Sequence, residues 1–349
     1  MDGPDSLARQ AGDRAVRDAG RNLAVSDAQL LAMYERMVLI RRMEERLAAD
    51  RAAGKLPGGV HLYIGQEAVA VAVCAHLQDR DWITSTHRGH GHFLAKGGDP
   101  DAMMAEIWGK RTGICRGMGG SMHVADVSKG ILGANGIVGG GLAIAAGSAF
   151  GAKLEGSGRV SVAFFGDGAA NQGVFMETLN VSTVWGLPLI FLCENNLYGE
   201  FTPSRTVTAG KLADRARAFG IPSVVVDGND VEDVWVATAA AVERARAGGG
   251  PSYIEAMTYR LRGHMEAEPE LLAGGKYREQ EEIEQWRKRD PIDLLRQRLL
   301  SAGSIAVSAV EDVERGVEAR VAAAAAFAEA SEPADPDAPL DLMFTDHRA

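Results

Sequence analysis

The chain has 349 residues, 46% of them hydrophobic, which is enough for a sizeable core in one large domain or two ordinary ones. Its net charge of −10 and pI near 5.4 offer no basic field to recruit phosphate backbones, so nucleic acid is not an expected partner. Three widely spaced cysteines without a CxxC pair exclude structural zinc and a disulfide framework. With no long apolar run and a polar start, MDGPDSLARQAGDRAVRDAG, a soluble cytoplasmic protein without a membrane partner is expected.

Residues 1–25 carry charge and little apolar content and are expected to form a flexible tail. Ser26 with Gln29 resembles a capping box and opens a long helix that runs to Ala49, where Gly54, Gly58 and Gly59 follow. GQEAVAVAVCAHL (65–77) predicts a deeply packed helix, and WITST (82–86) a short strand opening onto HRGHGH. A helix near 101–110 precedes a glycine-dense segment, 109–141, suited to tight loops and close backbone approach to a ligand. GLAIAAGSAFGAKL (141–154) predicts a helix whose Gly147 and Gly151 pack closely on a sheet or helix, with a subunit interface as the alternative. Apolar strands at 160–165, 187–193, 223–227 and 252–259 are interspersed with helices at 171–184 and 230–247. Continuous apolar strands between helices predict an α/β fold, a mainly parallel sheet covered by helices on both faces. One domain over 26–330 is expected, then an acidic, Pro-rich extended tail over 331–349.

The chemistry is expected at the strand ends, where ligands gather in open α/β sheets. One apolar run stops at Gly166-Asp167-Gly168 and the next at Glu194-Asn195-Asn196. The glycines let backbone N–H groups approach a bulky anion, but a carboxylate beside a phosphate is repulsive unless a cation lies between them. Asp167 with an amide oxygen from Asn196 offers hard oxygen ligands, which suits Mg2+ shared with a diphosphate. A dinucleotide site is the alternative, since GDGAANQG opens a helix after a strand and Glu194 stands where a ribose-binding acid would. Against it, Asn171 occupies the place of the third glycine and the acid would face the pyrophosphate. No GxxxxGK[ST] occurs, which excludes a P-loop.

GDGAANQG followed by ENN resembles the thiamine diphosphate motif. VHLYIGQEA, THRGHG, CRGMGGSMH, GANGIVGGG, ENNLYG and YRLRGH extend the resemblance over residues 27 to 325. Together they are similar to the alpha chain of the decarboxylating component of 2-oxo acid and acetoin dehydrogenase complexes. The resemblance implies a thiamine diphosphate-binding fold, with Mg2+ held by Asp167, Asn196 and the carbonyl of Tyr198. Gly168 and Ala169 would give N–H groups to the diphosphate, Arg88 would offset its remaining charge, and Gly136 and Val138 would lie against the aminopyrimidine ring. His61 and His264 would face the thiazolium carbon and the substrate, where neutral imidazole can pass protons near pH 7.

The same resemblance implies a separate beta subunit, an assembly of two alpha and two beta subunits, and transfer of the acyl unit to a lipoyl-bearing or other thiol carrier. Pyruvate-type chains carry Tyr-Arg where this one has His87-Arg88, so THRGHG looks more like the acetoin group. A polar wall of His61, His87, His90 and His264 would suit a small substrate such as pyruvate or acetoin better than a branched oxo acid. Transketolase-like transfer of a two-carbon ketol unit is the alternative, and a non-catalytic cofactor-binding subunit is the alternative of another class. His123 reads equally as a structural loop histidine, and His76 and His347 as ordinary surface residues.

Overall fold

A computed structural model describes residues 25–273, 275–303 and 305–339. Most of the expected N-terminal tail, residues 340–349 of the C-terminal one, and His347 lie outside the described residues.

Helix α1, Asp27–Ala52, starts at the capping box. Ser26 Oγ accepts from the Gln29 N–H at 3.3 Å, and Gln29 Oε1 accepts from the Ser26 N–H at 2.9 Å. Its buried Leu30, Met33, Tyr34, Met37 and Ile40 recur at helical spacing. Then follow α2 (Glu67–Cys74), β1 (Trp82–Thr84), α3 (Gly89–Ala95), α4 (Pro100–Ile107) and α5 (Gly140–Glu155). Next come β2 (Ser161–Gly166), α6 (Gly173–Val184), β3 (Leu189–Asn195) and a small hairpin, β4 (Tyr198–Gly199) with β5 (Thr202–Pro203). The chain continues through α7 (Leu212–Arg217), β6 (Ser223–Asp227), α8 (Val231–Arg246) and β7 (Ser252–Met257). It closes with α9 (Glu268–Leu271), α10 (Gln280–Arg287), α11 (Pro291–Ser301) and α12 (Val307–Ala330).

The five long-range strands form one parallel sheet in the order β1-β2-β3-β7-β6. Both faces are covered, which is why the strands read as continuous apolar runs. Val162, Phe164, Ile190, Leu192 and Ile254 face a core shared with α1, α2 and α8. Ala163, Phe165, Phe191, Cys193 and Tyr253 face a second core with α5, α6 and α7. Handedness accounts for this division. The connections through α5, α6 and α7 advance in one direction across the sheet, whereas α8 steps back from the edge strand β6 to β7. Right-handed crossovers therefore put α8 on the opposite face.

Register then fixes the site. Gly166 pairs with Glu194 and Asn195 with Met257, so the carboxyl ends of β2, β3 and β7 lie side by side. This brings Asp167 and Asn196 to the same edge of the sheet.

Several elements differ from expectation. The last strand ends at Met257 rather than 259, and α2 spans only Glu67–Cys74. Gly147 and Gly151 do not serve close packing within this chain. A Cβ at either would meet nothing within 4 Å, and α5 turns Ala145 and Ala149 to the sheet instead, leaving Ile144 and Leu154 exposed. After α12 the chain runs along the loop that follows α4, with Ala334 N–H donating to Gly109 O at 2.9 Å. The three thiols are free, and among the described residues no helix is long and apolar enough to cross a membrane.

Candidate active site

A cavity of about 340 Å3 opens at the carboxyl ends of the central strands. It is lined by His61, His87, Arg88, Gly136, Val138, Asp167, Gly168, Ala169, Asn196, Tyr198 and His264, all drawn from distant parts of the chain. Every residue singled out as catalytic or cofactor-binding from the sequence thus borders one space.

Asp167 leaves β2 at the floor of this space. It is 1% exposed, and its Oδ2 has no hydrogen-bond partner. Burial pushes its carboxyl up to about 6, against the opposing pull of its own and Gly168's N–H groups and of Arg260. A buried, unpaired carboxylate oxygen is costly unless something cationic completes it. Asn196 stands beside it at the end of β3. Its Nδ2 donates to Gln66 Oε1 at 2.9 Å, while its Oδ1 accepts the Tyr198 N–H at 3.3 Å. The next residue, Leu197, has φ of +71°, unusual for a non-glycine residue, and turns the chain sharply into the β4 strand. Asn195 faces elsewhere, donating to Glu255 Oε1 at 2.7 Å.

These donors fit a metal-bound diphosphate. Among the described residues no three His, Cys, Asp or Glu side chains converge as a ready-made metal cage. One carboxylate and one amide oxygen suit a hard cation that takes its remaining oxygens from a bound ligand. The two-residue step from β2 to the turn at Ala169–Asn171 brings Gly168 and Ala169 into the cavity lining.

Three imidazoles form the opposite wall. The rings of His61 and His87 lie 5.0 Å apart, His61 and His264 5.0 Å, and His87 and His264 5.4 Å. His264 Nδ1 accepts from Arg88 Nη2 at 3.1 Å and from Arg260 Nη1 at 3.2 Å, so the neutral ring carries its proton on Nε2. Burial, and then the Arg88 charge, press the imidazolium form down: His61 to about 3, His264 to about 2, and His87 further still. His61 Nδ1 and His87 Nε2 are buried without partners.

Arg88 is already engaged, donating through Nη1 to Leu62 O at 2.9 Å and through Nη2 to His264 O at 2.6 Å. Arg260 joins it, donating to Glu200 O at 2.8 Å. Sequence reasoning passed over Arg260, Gln66 and Glu200. Arg260 was signalled by its place inside YRLRGH, and Gln66 by being a polar residue at the head of an apolar helix. Glu200 carried no signal.

One expected wall residue is absent. His90 does not border the cavity: its Nδ1 lies 3.0 Å from Glu44 Oε2 and its Nε2 3.0 Å from Ser121 Oγ, all buried behind the site. His92 is likewise bound, by Ser85 Oγ at 2.7 Å and Glu194 Oε1 at 3.1 Å. Glu194 therefore serves a buried network that includes the Tyr63 hydroxyl rather than a ribose. His123 holds the Gly119 carbonyl at 3.1 Å and sits beside Gly136. His76 is half-buried, bound to the Trp235 carbonyl at 3.0 Å, and is not an ordinary surface residue.

Comparison with known proteins matches residues 35–337 to the family model described as Dehydrogenase E1 component. The chain is 50% identical over 310 residues to the alpha subunit of acetoin:2,6-dichlorophenolindophenol oxidoreductase of Bacillus subtilis, covering 88% of this chain and 91% of that one. The subunit of the same name in Cupriavidus necator is 45% identical over 336 residues, 96% of this chain and 99% of its own. The pyruvate dehydrogenase E1 component subunit alpha of Zymomonas mobilis is 43% identical over 319 residues, 90% and 88% of the two chains.

Proposed function

The chain belongs to the dehydrogenase E1 component family, and from that premise we propose that it is the alpha subunit of an acetoin-type, thiamine diphosphate-dependent dehydrogenase. It works with a beta subunit, as its relatives' subunit names imply. The finer reading is a heterotetramer of two alpha and two beta subunits, with Mg2+ beside the cofactor and a lipoyl or other thiol carrier accepting the acyl unit.

The observation that carries this reading is the unpaired Asp167 Oδ2 beside Asn196, in the cavity that also holds the three imidazoles. Asp167, the Asn196 amide oxygen and the Tyr198 carbonyl would hold the metal. Gly168 and Ala169 would donate N–H groups to the diphosphate, with Arg88 supplying positive charge nearby. Gly136 and Val138, in the loop at the mouth, would face the pyrimidine ring. When bound, the cofactor supplies an electron sink that lets a carbon–carbon bond beside a carbonyl break. The His264 Nε2–H is available to donate to a substrate oxygen, while the unpartnered His61 Nδ1 and His87 Nε2 would hydrogen-bond to the substrate as neutral rings.

The wall favours a neutral substrate. Its imidazoles are uncharged at neutral pH, and its two guanidinium groups are bound to carbonyls and to His264. Acetoin brings two neutral oxygens on adjacent carbons, whereas pyruvate brings a carboxylate that would want an uncommitted cation. Cleaving acetoin releases acetaldehyde, and two electrons from the remaining two-carbon unit pass to the acceptor as it becomes an acetyl group.

The test is to reconstitute the chain with its beta partner, with thiamine diphosphate, Mg2+ and an artificial electron acceptor. Acetoin should be turned over with a higher kcat/KM than pyruvate or a branched oxo acid. Preference for pyruvate would overturn the neutral-substrate reading. Cleavage of a ketose phosphate without turnover of acetoin or pyruvate would move the assignment to ketol transfer.

A further inference from the structure

We propose that His90 is a positioning residue, the middle link of a buried relay from Glu44 through His90 to Ser121 that fixes the main chain of His61 at the cavity; the proposal rests on the reading of His61 as a group that faces the reaction. The relay starts from an anomaly. Glu44 lies in the middle of α1, fully buried among apolar residues, where a carboxylate belongs only if it is well paired.

Its partners explain its place. Glu44 Oε1 accepts the Tyr63 N–H at 2.9 Å, and its two oxygens lie 3.2 and 3.0 Å from His90 Nδ1. Across the ring, His90 Nε2 lies 3.0 Å from Ser121 Oγ, and Ser121 Oγ accepts the His61 N–H at 3.5 Å. One arrangement of protons satisfies every contact. The His61 N–H points to Ser121, the Ser121 O–H to His90 Nε2, and the His90 Nδ1–H to Glu44.

The segment that carries His61 has no regular secondary structure. Two of its N–H groups, those of His61 and Tyr63, end on the two extremities of the same relay, and His90 joins those extremities. The four contributing stretches lie far apart in the chain, so chain connectivity alone does not bring them together. Loss of the central links should therefore let His61 drift, and near-attack geometry is sensitive to displacements of about 1 Å. His90 itself reaches neither substrate nor cofactor.

The test uses the enzyme assembled with its beta subunit and loaded with thiamine diphosphate and Mg2+. Ser121→Ala and Glu44→Gln should each lower kcat by about tenfold or more, with the affinity for thiamine diphosphate within about twofold of wild type. The double variant should be no worse than the poorer single one, because both break one chain. Ser121→Thr, which keeps the hydroxyl, should recover most of the kcat lost in Ser121→Ala. If Glu44→Gln does not assemble, the Ser121 pair decides alone. Wild-type kcat in Ser121→Ala, no recovery in Ser121→Thr, or losses that multiply in the double variant would overturn the relay. His61→Ala is the reference. Impaired His61→Ala beside unimpaired relay variants sinks the relay alone, whereas wild-type kcat in His61→Ala sinks the reading of His61 and the relay with it.

Discussion

The cavity and the layer directly behind it contain the same side chain in two conditions. In front, His61, His87 and His264 border open space, and the first two keep a buried nitrogen without a partner. Behind, His90 and His92 are fully buried and each spends both nitrogens, on Glu44 and Ser121 or on Glu194 and Ser85. Burial separates the two groups only by degree, since His61 is buried as well and His87 and His264 are partly so; satisfaction of the ring nitrogens separates them in kind. A protein keeps polar atoms unpaired where a ligand will pair them, and pairs them where they only hold the wall.

The difference is sharpest in the consequences of removing a ring. His264→Ala should reduce kcat of the assembled enzyme by about 10²–10⁴-fold, the range of a lost proton donor, with a smaller drop in thermal midpoint than a back-layer variant shows, since only its Nδ1 is held, by Arg88 and Arg260. Steady-state kinetics beside a thermal melt checks both halves, and a fall in the melting point comparable to that of a back-layer variant would break the distinction. His92→Ala should do the reverse. It leaves a ring-sized cavity and removes a hydrogen-bond partner from both Glu194 and Ser85, and should cost about 2–5 kcal/mol of stability, seen as a lowered denaturation midpoint. A stable His92→Ala protein would show that the back layer is not held by its pairing.

A smaller effect should appear in the pH dependence of stability. His61 and His264 are held in the folded protein at about 3 and 2, below the ordinary histidine value. The unfolded chain therefore binds more protons as pH drops below about 6.5, and stability falls as pH is lowered from there toward the folded values. The His61→Gln, His264→Gln double variant should lose stability less steeply between pH 6.5 and about 4.5 in chemical denaturation. An unchanged slope would mean that these rings are solvated rather than held neutral.

How far the sequence reading reached follows the same division. The sheet was legible because buried parallel strands are continuous apolar runs, and Asp167 and Asn196 were legible because they interrupt such runs at their ends. The facing of His90 was not. Gly89 and Gly91 disguise α3 as a loop, yet it is a helix, and residues of a helix point in successive directions around its axis. His90 and His92 are thereby sent into the core while His87, just before the helix, stays at the cavity. Glu44 and Glu194 were illegible as partners because they lie 46 and 102 residues from the histidines they bind. The helices after residue 280 went unpredicted. For α12 the local signal is weak, since Ala306 stands at its start with no side-chain cap, although Asp290-Pro291 did mark the start of α11.

Asp167, whose Oδ2 has no hydrogen-bond partner, is the residue proposed to complete a cofactor-bound metal. Calorimetric titration of thiamine diphosphate with Mg2+ into the assembled enzyme tests that role, comparing wild type with Asp167→Ala. Saturable binding by wild type, lost in the variant while the two subunits still associate, is the predicted result. Unchanged affinity in Asp167→Ala would contradict the account.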